Sequence, residues 1–122
     1  MMQTEKQVKG QKGEQMAAEY LRSKGYQILE TNWRVGHLEV DIIAIDTAML
    51  VFVEVKTRAS SAFGEPEVFV DMAKQRHLIR AANIYIGKTG INKEVRFDIV
   101  SVILNEGVKS VKHIEDAFKP RW

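Results

Sequence analysis

The chain has 122 residues, 45% hydrophobic and 28% charged, which fits one packed domain and leaves little room for a second. It contains no cysteine, so disulfides and cysteine-ligated zinc are both excluded. The net charge of +2 gives no overall basic field, and apolar runs such as Ile42-Ile43-Ala44-Ile45 are far too short to cross a bilayer.

The first residues, MMQTEKQVKGQKGEQ, hold no apolar stretch of the signal-peptide kind. The expectation is a cytoplasmic protein without membrane contact, residues 1–12 forming a flexible basic segment. Positive charge gathers at the two ends: Lys6, Lys9 and Lys12 near the start, Lys109, Lys112, Lys119 and Arg121 near the finish. Such groups are usually solvated termini, although they can also meet phosphates.

Gly13 to Lys24 reads as a first helix closed by Gly25. Met16, Ala17, Tyr20 and Leu21 recur on it at helical spacing. Gln27–Arg34 reads as a strand, followed by Leu38–Asp46 and Leu50–Arg58, both rich in Val and Ile. A turn at Thr47 and Ala48 would join these last two, though Thr-Ala is not a favoured two-residue turn and a longer loop is allowed for. The stretch from Ala59 to Pro66 reads as a loop. Asp71–Ile86 is a second helix with Leu78, Ile79, Ala82, Tyr85 and Ile86 on its apolar face, ended by Gly87 and Gly90. Val95–Leu104 and Val108–Ile114 are further strands. The order predicts an α/β domain with a central mixed β-sheet flanked by α-helices.

The chemistry concentrates in LEVDIIAIDTAMLVFVEVKTR. Side chains alternate along a strand, so Glu39, Asp41, Ile43 and Ile45 should share one face, and Phe52, Glu54, Lys56 and Arg58 the matching one. A hairpin turning at Thr47 and Ala48 sets Asp41 opposite Glu54. Two carboxylates and an ammonium then meet at the end of an apolar surface. Magnesium takes oxygen ligands and commonly only one or two protein carboxylates. Asp41, Glu54 and the Val55 carbonyl would supply such a partial shell, with Lys56 beside the attacking water. A Glu-x-Lys on a strand is often a surface ion pair. Here, however, Asp41 lies between Val40 and Ile42 and Glu54 between Val53 and Val55, where an uncompensated charge is costly. A metal-free buried salt bridge with Lys56 is the competing explanation.

On the first helix, 100° per residue puts Glu14 at the edge of the apolar stripe and turns Glu19 towards solvent. Glu14 can therefore reach the rim of the sheet, or serve simply as a first-turn acid. Gly13 lies on the packing face, where close approach is open to it. His37 and His77 are isolated in sequence and read as ordinary polar residues, Arg96 and Asp98 as an ion pair. Trp33 reads as a core or edge residue, while Trp33 and Trp122 are also candidates for base stacking.

Across Lys12-Gly13-Glu14, Gly25-Tyr26, Ile28-Leu29, Asn32, Arg34, Glu39-Val40-Asp41-Ile42-Ile43-Ala44, Phe52-Val53-Glu54-Val55-Lys56-Thr57-Arg58, Phe63-Gly64, Lys74-Gln75 and Arg96-Phe97-Asp98, the chain resembles the YraN family. That family of bacterial proteins belongs to the restriction-endonuclease-like superfamily and is similar to archaeal Holliday junction resolvases. The resemblance implies a restriction-endonuclease-like fold, with Asp41, Glu54 and Lys56 as metal and catalytic residues and Glu14 as an extra acid from the helix. Leu38 stands where the family usually carries glycine. Lys74 and Gln75 on the second helix, as in related folds, together with Arg58 and Lys12, are the candidate nucleic-acid contacts.

The expected function is therefore a Mg2+- or Mn2+-dependent endonuclease hydrolysing DNA phosphodiester bonds, branched or single-stranded DNA included. The alternative is a non-catalytic module that keeps the fold and binds nucleic acid or protein; the near-neutral charge favours this second reading. A homodimer building one cleft from two chains, as junction resolvases do, is a third.

Overall fold

The computed structural model describes residues 3–59, 70–105 and 107–120, apart from the side chains of Lys6 and Val108. Most of the expected loop after Ala59, including Phe63-Gly64, lies outside this set, as do Arg121 and Trp122. The elements run α1 (Glu5–Ser23), β1 (Gln27–Val35), β2 (Leu38–Asp46), β3 (Met49–Arg58), α2 (Met72–Thr89), β4 (Glu94–Asn105) and β5 (Val108–Phe118). The strands form one sheet in sequence order. Neighbours are antiparallel except β3 and β4, which are parallel. A parallel pair needs a crossover, and α2 supplies it. This is the expected mixed sheet flanked by helices.

α1 differs from its expected span. It begins at Glu5, not Gly13, so residues 5–12 are helix where a flexible basic segment was expected. They carry no apolar stripe, but Thr4 and Gln7 form a capping box: the Gln7 N–H donates to Thr4 Oγ1 at 3.1 Å, and the Thr4 N–H to Gln7 Oε1 at 2.9 Å. Two end donors are thereby satisfied. α2 has Asp71 as N-cap, accepting from the Lys74 N–H at 2.8 Å. It runs through Gly87 and stops at Gly90, whose φ of 72° is the left-handed cap that glycine adopts without penalty.

Each face of the sheet buries one helix. Ala17, Ala18 and Leu21 of α1 pack on Ile42, Ala44, Val51, Val53, Val100 and Val102. Leu78, Ala81, Ala82 and Tyr85 of α2 pack on Ile43, Leu50, Phe52, Phe97 and Ile99. Burying a side chain such as Leu21 or Phe52 contributes about 1.5–3 kcal/mol. Trp33 joins the α2 core, edge-on to Tyr85 at 5.2 Å between ring centroids.

The hairpin turns where the pattern placed it, with Asp46 paired to Met49 across a two-residue loop. No longer loop is needed. Thr47 takes φ of 53° to close it, a strained value for a β-branched residue. No helix among the described residues is long and apolar enough to cross a membrane.

Candidate active site

β2 and β3 pair regularly from Asp46–Met49 to Ile42–Val53, and there the ladder ends. Hydrogen-bonded pairs alternate, so the next would join Val40 and Val55. Instead the Val55 N–H donates to Asp41 Oδ2 at 2.8 Å. A carboxylate thus takes the place of a strand partner, and the two strands part at this residue.

The same point reverses the strand faces. Ile42 and Ala44 lie under α1, yet Val40 and Leu38 lie under α2 together with Ile43. The face therefore flips across Asp41. Opposite it on β1, Asn32 has φ of 50°, and the paired residues Thr31–Ile42 and Trp33–Val40 stand on either side. One expectation is corrected here: Glu39 does not share the face of Ile43 and Ile45. It borders a hollow on the α1 side with Gln7, Gly10 and Glu14, and pairs with Arg34 at 3.6 Å. Leu38 is core, packed under α2.

Glu54 lies on the α2 side. Its side chain is largely buried, and Lys74 of α2 stands 3.5 Å from Oε2. That separation is an ion-pair distance but too long for a good hydrogen bond, and Oε2 is buried without a hydrogen-bond partner. Lys56 is close enough for its charge to favour ionised Glu54.

The charges explain the titration of both acids. Burial pushes Asp41 up, the Glu54 carboxylate adds repulsion, the Val55 N–H opposes them, and Glu14 adds a further acidic charge; Asp41 is raised to about 7. Burial likewise raises Glu54, against the opposing charges of Lys74 and Lys56. These carboxylates are held together with too little positive charge, an arrangement a bound cation would relieve.

The donor set suits a hard divalent ion. Asp41 and Glu54 provide anionic oxygens, one of them buried and unsatisfied, and the Val55 carbonyl is the backbone oxygen between Glu54 and Lys56. Among the described residues no three His, Cys, Asp or Glu side chains form a closed metal cluster. An open set with two carboxylates is what magnesium commonly uses.

The remaining predicted residues divide. Glu14, half-buried on α1, acts on Asp41 through its charge. Gly13 lets α1 approach this closely: a Cβ there would collide with Thr57 Oγ1 of β3. Arg58 borders the hollow containing Glu14 and Val55. Lys74 reaches the site by pairing with Glu54. Gln75 is engaged otherwise, its Nε2 donating to the Val70 carbonyl at 2.8 Å. Lys12 lies away from the acids, in a hollow with Leu104 and Lys109. Glu19 is exposed, as expected. His37 and His77 are far apart in sequence, but their rings meet edge-to-face at 6.3 Å. The Lys74–Glu54 pair was missed because nothing local links residues 54 and 74.

Arg96 and Asp98 form the expected ion pair, with more around it. Asp98 accepts from Arg96 Nε and Nη2, both at 2.9 Å, from the Asp116 N–H at 3.0 Å, and lies 2.7 Å from His113 Nε2. Arg96 also reaches Asp46 at 3.0 Å and donates to the Tyr26 hydroxyl at 2.6 Å. Burial pushes Asp98 up, but the hydrogen bonds from His113, Arg96 and the Asp116 N–H prevail and hold it below the usual carboxylate range.

A mixed five-stranded sheet between two helices, with acids where two strands part, is the architecture of a restriction-endonuclease-like domain. Uncharacterised protein family UPF0102 matches residues 13–102, and the chain belongs to that family, which is the YraN family. It is 46% identical over 109 residues to a UPF0102 protein of Christiangramia forsetii, covering 89% of this chain and 92% of that one. A UPF0102 protein of Persephonella marina is 45% identical, covering 91% and 93% respectively. One from Caldanaerobacter subterraneus is 42% identical, covering 97% and 100%.

Proposed function

We propose that this protein is a metal-dependent nuclease that hydrolyses DNA phosphodiester bonds at Asp41, Glu54 and Lys56. The observation that carries the reading is the strained acid pair: Asp41 raised to about 7, beside a buried Glu54 oxygen that has no hydrogen-bond partner and only the Lys74 ammonium at 3.5 Å. A fold that served stability alone would gain by removing such charges.

Asp41, Glu54 and the Val55 carbonyl would hold Mg2+ or Mn2+. When bound, the ion supplies Lewis acidity to a phosphate oxygen and acidifies water. Asp41 is fixed by the Val55 N–H, so its orientation is set before any ligand arrives. Lys56, on the same strand, holds the attacking water or takes its proton, and offsets charge building on the phosphate oxygens. Lys74, partly exposed at the end of its reach to Glu54, can turn to a substrate phosphate once Glu54 has another cation. Glu14 adds negative charge from α1 and strengthens cation binding at Asp41.

The Lys74–Glu54 pair favours a second reading, a non-catalytic binding module in which the protein supplies its own cation. Calorimetric titration with Mg2+ or Mn2+ separates the two. Under the nuclease reading the metal binds, and Asp41→Ala and Glu54→Ala abolish binding. Activity is tested on linear, single-stranded, flapped and four-way DNA and on RNA. Cleavage by the wild type that persists unchanged in Lys56→Ala would mark a contaminant and remove the proposal.

A further inference from the structure

The two lysine groups, far apart in sequence, are brought together by the fold. Lys9 and Lys12 stand three residues apart on α1 and share a flank. Lys109 comes from the start of β5. All three are exposed and line one hollow of about 480 Å3, with Met16 and Leu104 also in its wall. Lys9 also borders a hollow of about 490 Å3 whose lining includes Arg58, Val55 and Glu14. Val55 and Glu14 belong to the candidate active site, so Lys9 links that site to the distant hollow.

The cations Arg58, Lys9, Lys12 and Lys109 therefore run as a strip from the hollow that Glu14 and Val55 border, along α1, to the β4–β5 hairpin. Glu5 and Glu14 lie at the near end, whereas the far hollow has three lysines against Glu19. The modest net charge of +2 conceals this concentration.

We infer that this strip holds the sugar-phosphate backbone of one nucleic-acid strand as it leaves the scissile position. It rests on the nuclease reading for where the strand begins. A single row of cations fits one strand better than the two backbones of a duplex groove. Met16 and Leu104 offer apolar surface to an unstacked base, which a duplex would keep covered.

The test is fluorescence anisotropy of a labelled single-stranded DNA with EDTA present, so that binding is read without metal or cleavage. Charge reversal at Lys12 and Lys109 together should weaken binding about tenfold or more and lower the salt slope by about one per lysine. The control reverses Lys88 and Lys93, exposed at the end of α2 and just before β4, and should bind like the wild type. Melting temperatures verify that both variants fold. Equal weakening in the control, unchanged binding in Lys12→Glu/Lys109→Glu, or a wild type that does not bind would each overturn the inference. A protein that binds through the strip yet cuts nothing supports it and removes the nuclease reading instead.

Discussion

Asp41 and Asp98 are both buried carboxylates on central strands, 9% and 1% exposed, yet they titrate in opposite directions. Burial pushes both carboxylates up. The difference is in partners. Asp98 is met by a guanidinium with two hydrogen bonds, by an imidazole and by a backbone N–H. Asp41 has one backbone N–H, acidic neighbours and only a small opposing contribution from the charge of Lys74. Burial opposes ionisation in both places, and compensation decides the outcome. The Asp98 carboxylate is fully partnered within the chain, although Nδ1 of its neighbour His113 is buried without a hydrogen-bond partner, while Asp41 stays raised despite the Val55 N–H and Lys74. Under the proposed function, that contrast separates a structural carboxylate from one retained for a ligand.

Removing Asp98 should have the largest effect on stability. Asp98→Ala leaves the buried imidazole of His113 and the half-buried Arg96 without their shared acceptor and should cost about 3 kcal/mol, read by urea or thermal unfolding at neutral pH. A loss below about 1 kcal/mol would mean that the network contributes little net stability.

Asp41→Asn should do the opposite. Because the folded pKa of Asp41 is raised from 3.8 to about 7, ionising it opposes folding. Its penalty is absent below pH 4, grows between pH 4 and 7, and is complete above 7. Asparagine retains an oxygen for the Val55 N–H and carries no charge. The variant should therefore gain stability over the wild type on the order of 2 kcal/mol at pH 8, discounting about 1.36 kcal/mol per pKa unit for relaxation. The gain should vanish near pH 4, and under the proposed function the variant should not bind Mg2+. Unfolding curves at the two pH values check this, and a variant destabilised equally at both would break the contrast. For Asp98 the sign is reversed: its pKa is lowered, so its contribution is present at neutral pH and lost as pH falls through the carboxylate range.

Much of the Asp41 end was legible because it is built on a hairpin. The alternation of Val and Ile and a turn at Thr47-Ala48 place residues 41 and 54 opposite each other by arithmetic, and the observed register follows that arithmetic as far as Ile42–Val53, where the strands part. The face reversal at Asp41 was not legible, since it needs the positive φ of Asn32 on another strand. Glu39 was misplaced for that reason. The early turns of α1 were missed because they lack a stripe, although Thr4 and Gln7 carried the capping signal. Around Asp98 only the Arg96 pair was readable, being two residues away on one strand. His113, Tyr26 and Asp46 arrive from β5, from just before β1 and from β2, contacts that no local pattern encodes.

Closer to the acids, Gly13→Ala tests how α1 presents Glu14. The added methyl meets Thr57 and should cost about 1–3 kcal/mol as an overpacking change. Thr57→Ala in the same chain should recover part of it, because the colliding hydroxyl is gone. A double-mutant cycle without coupling would show that the helix shifts freely.

The smallest expected effect sharpens the contrast from the compensated side. The Tyr26 hydroxyl accepts from Arg96 Nη2 at 2.6 Å and donates to Glu115 at 3.1 Å. In Tyr26→Phe, Arg96 retains both bonds to Asp98 and its pairing with Asp46, and Glu115 is exposed and can turn to water. Little is left buried and unpaired, so the cost should be about 1 kcal/mol, similar at pH 6 and pH 8, with Mg2+ binding unaltered. A cost several times larger would mean that the network acts cooperatively, each bond polarising the next. Asp98 would then owe its low pKa to the whole array more than to its nearest partners.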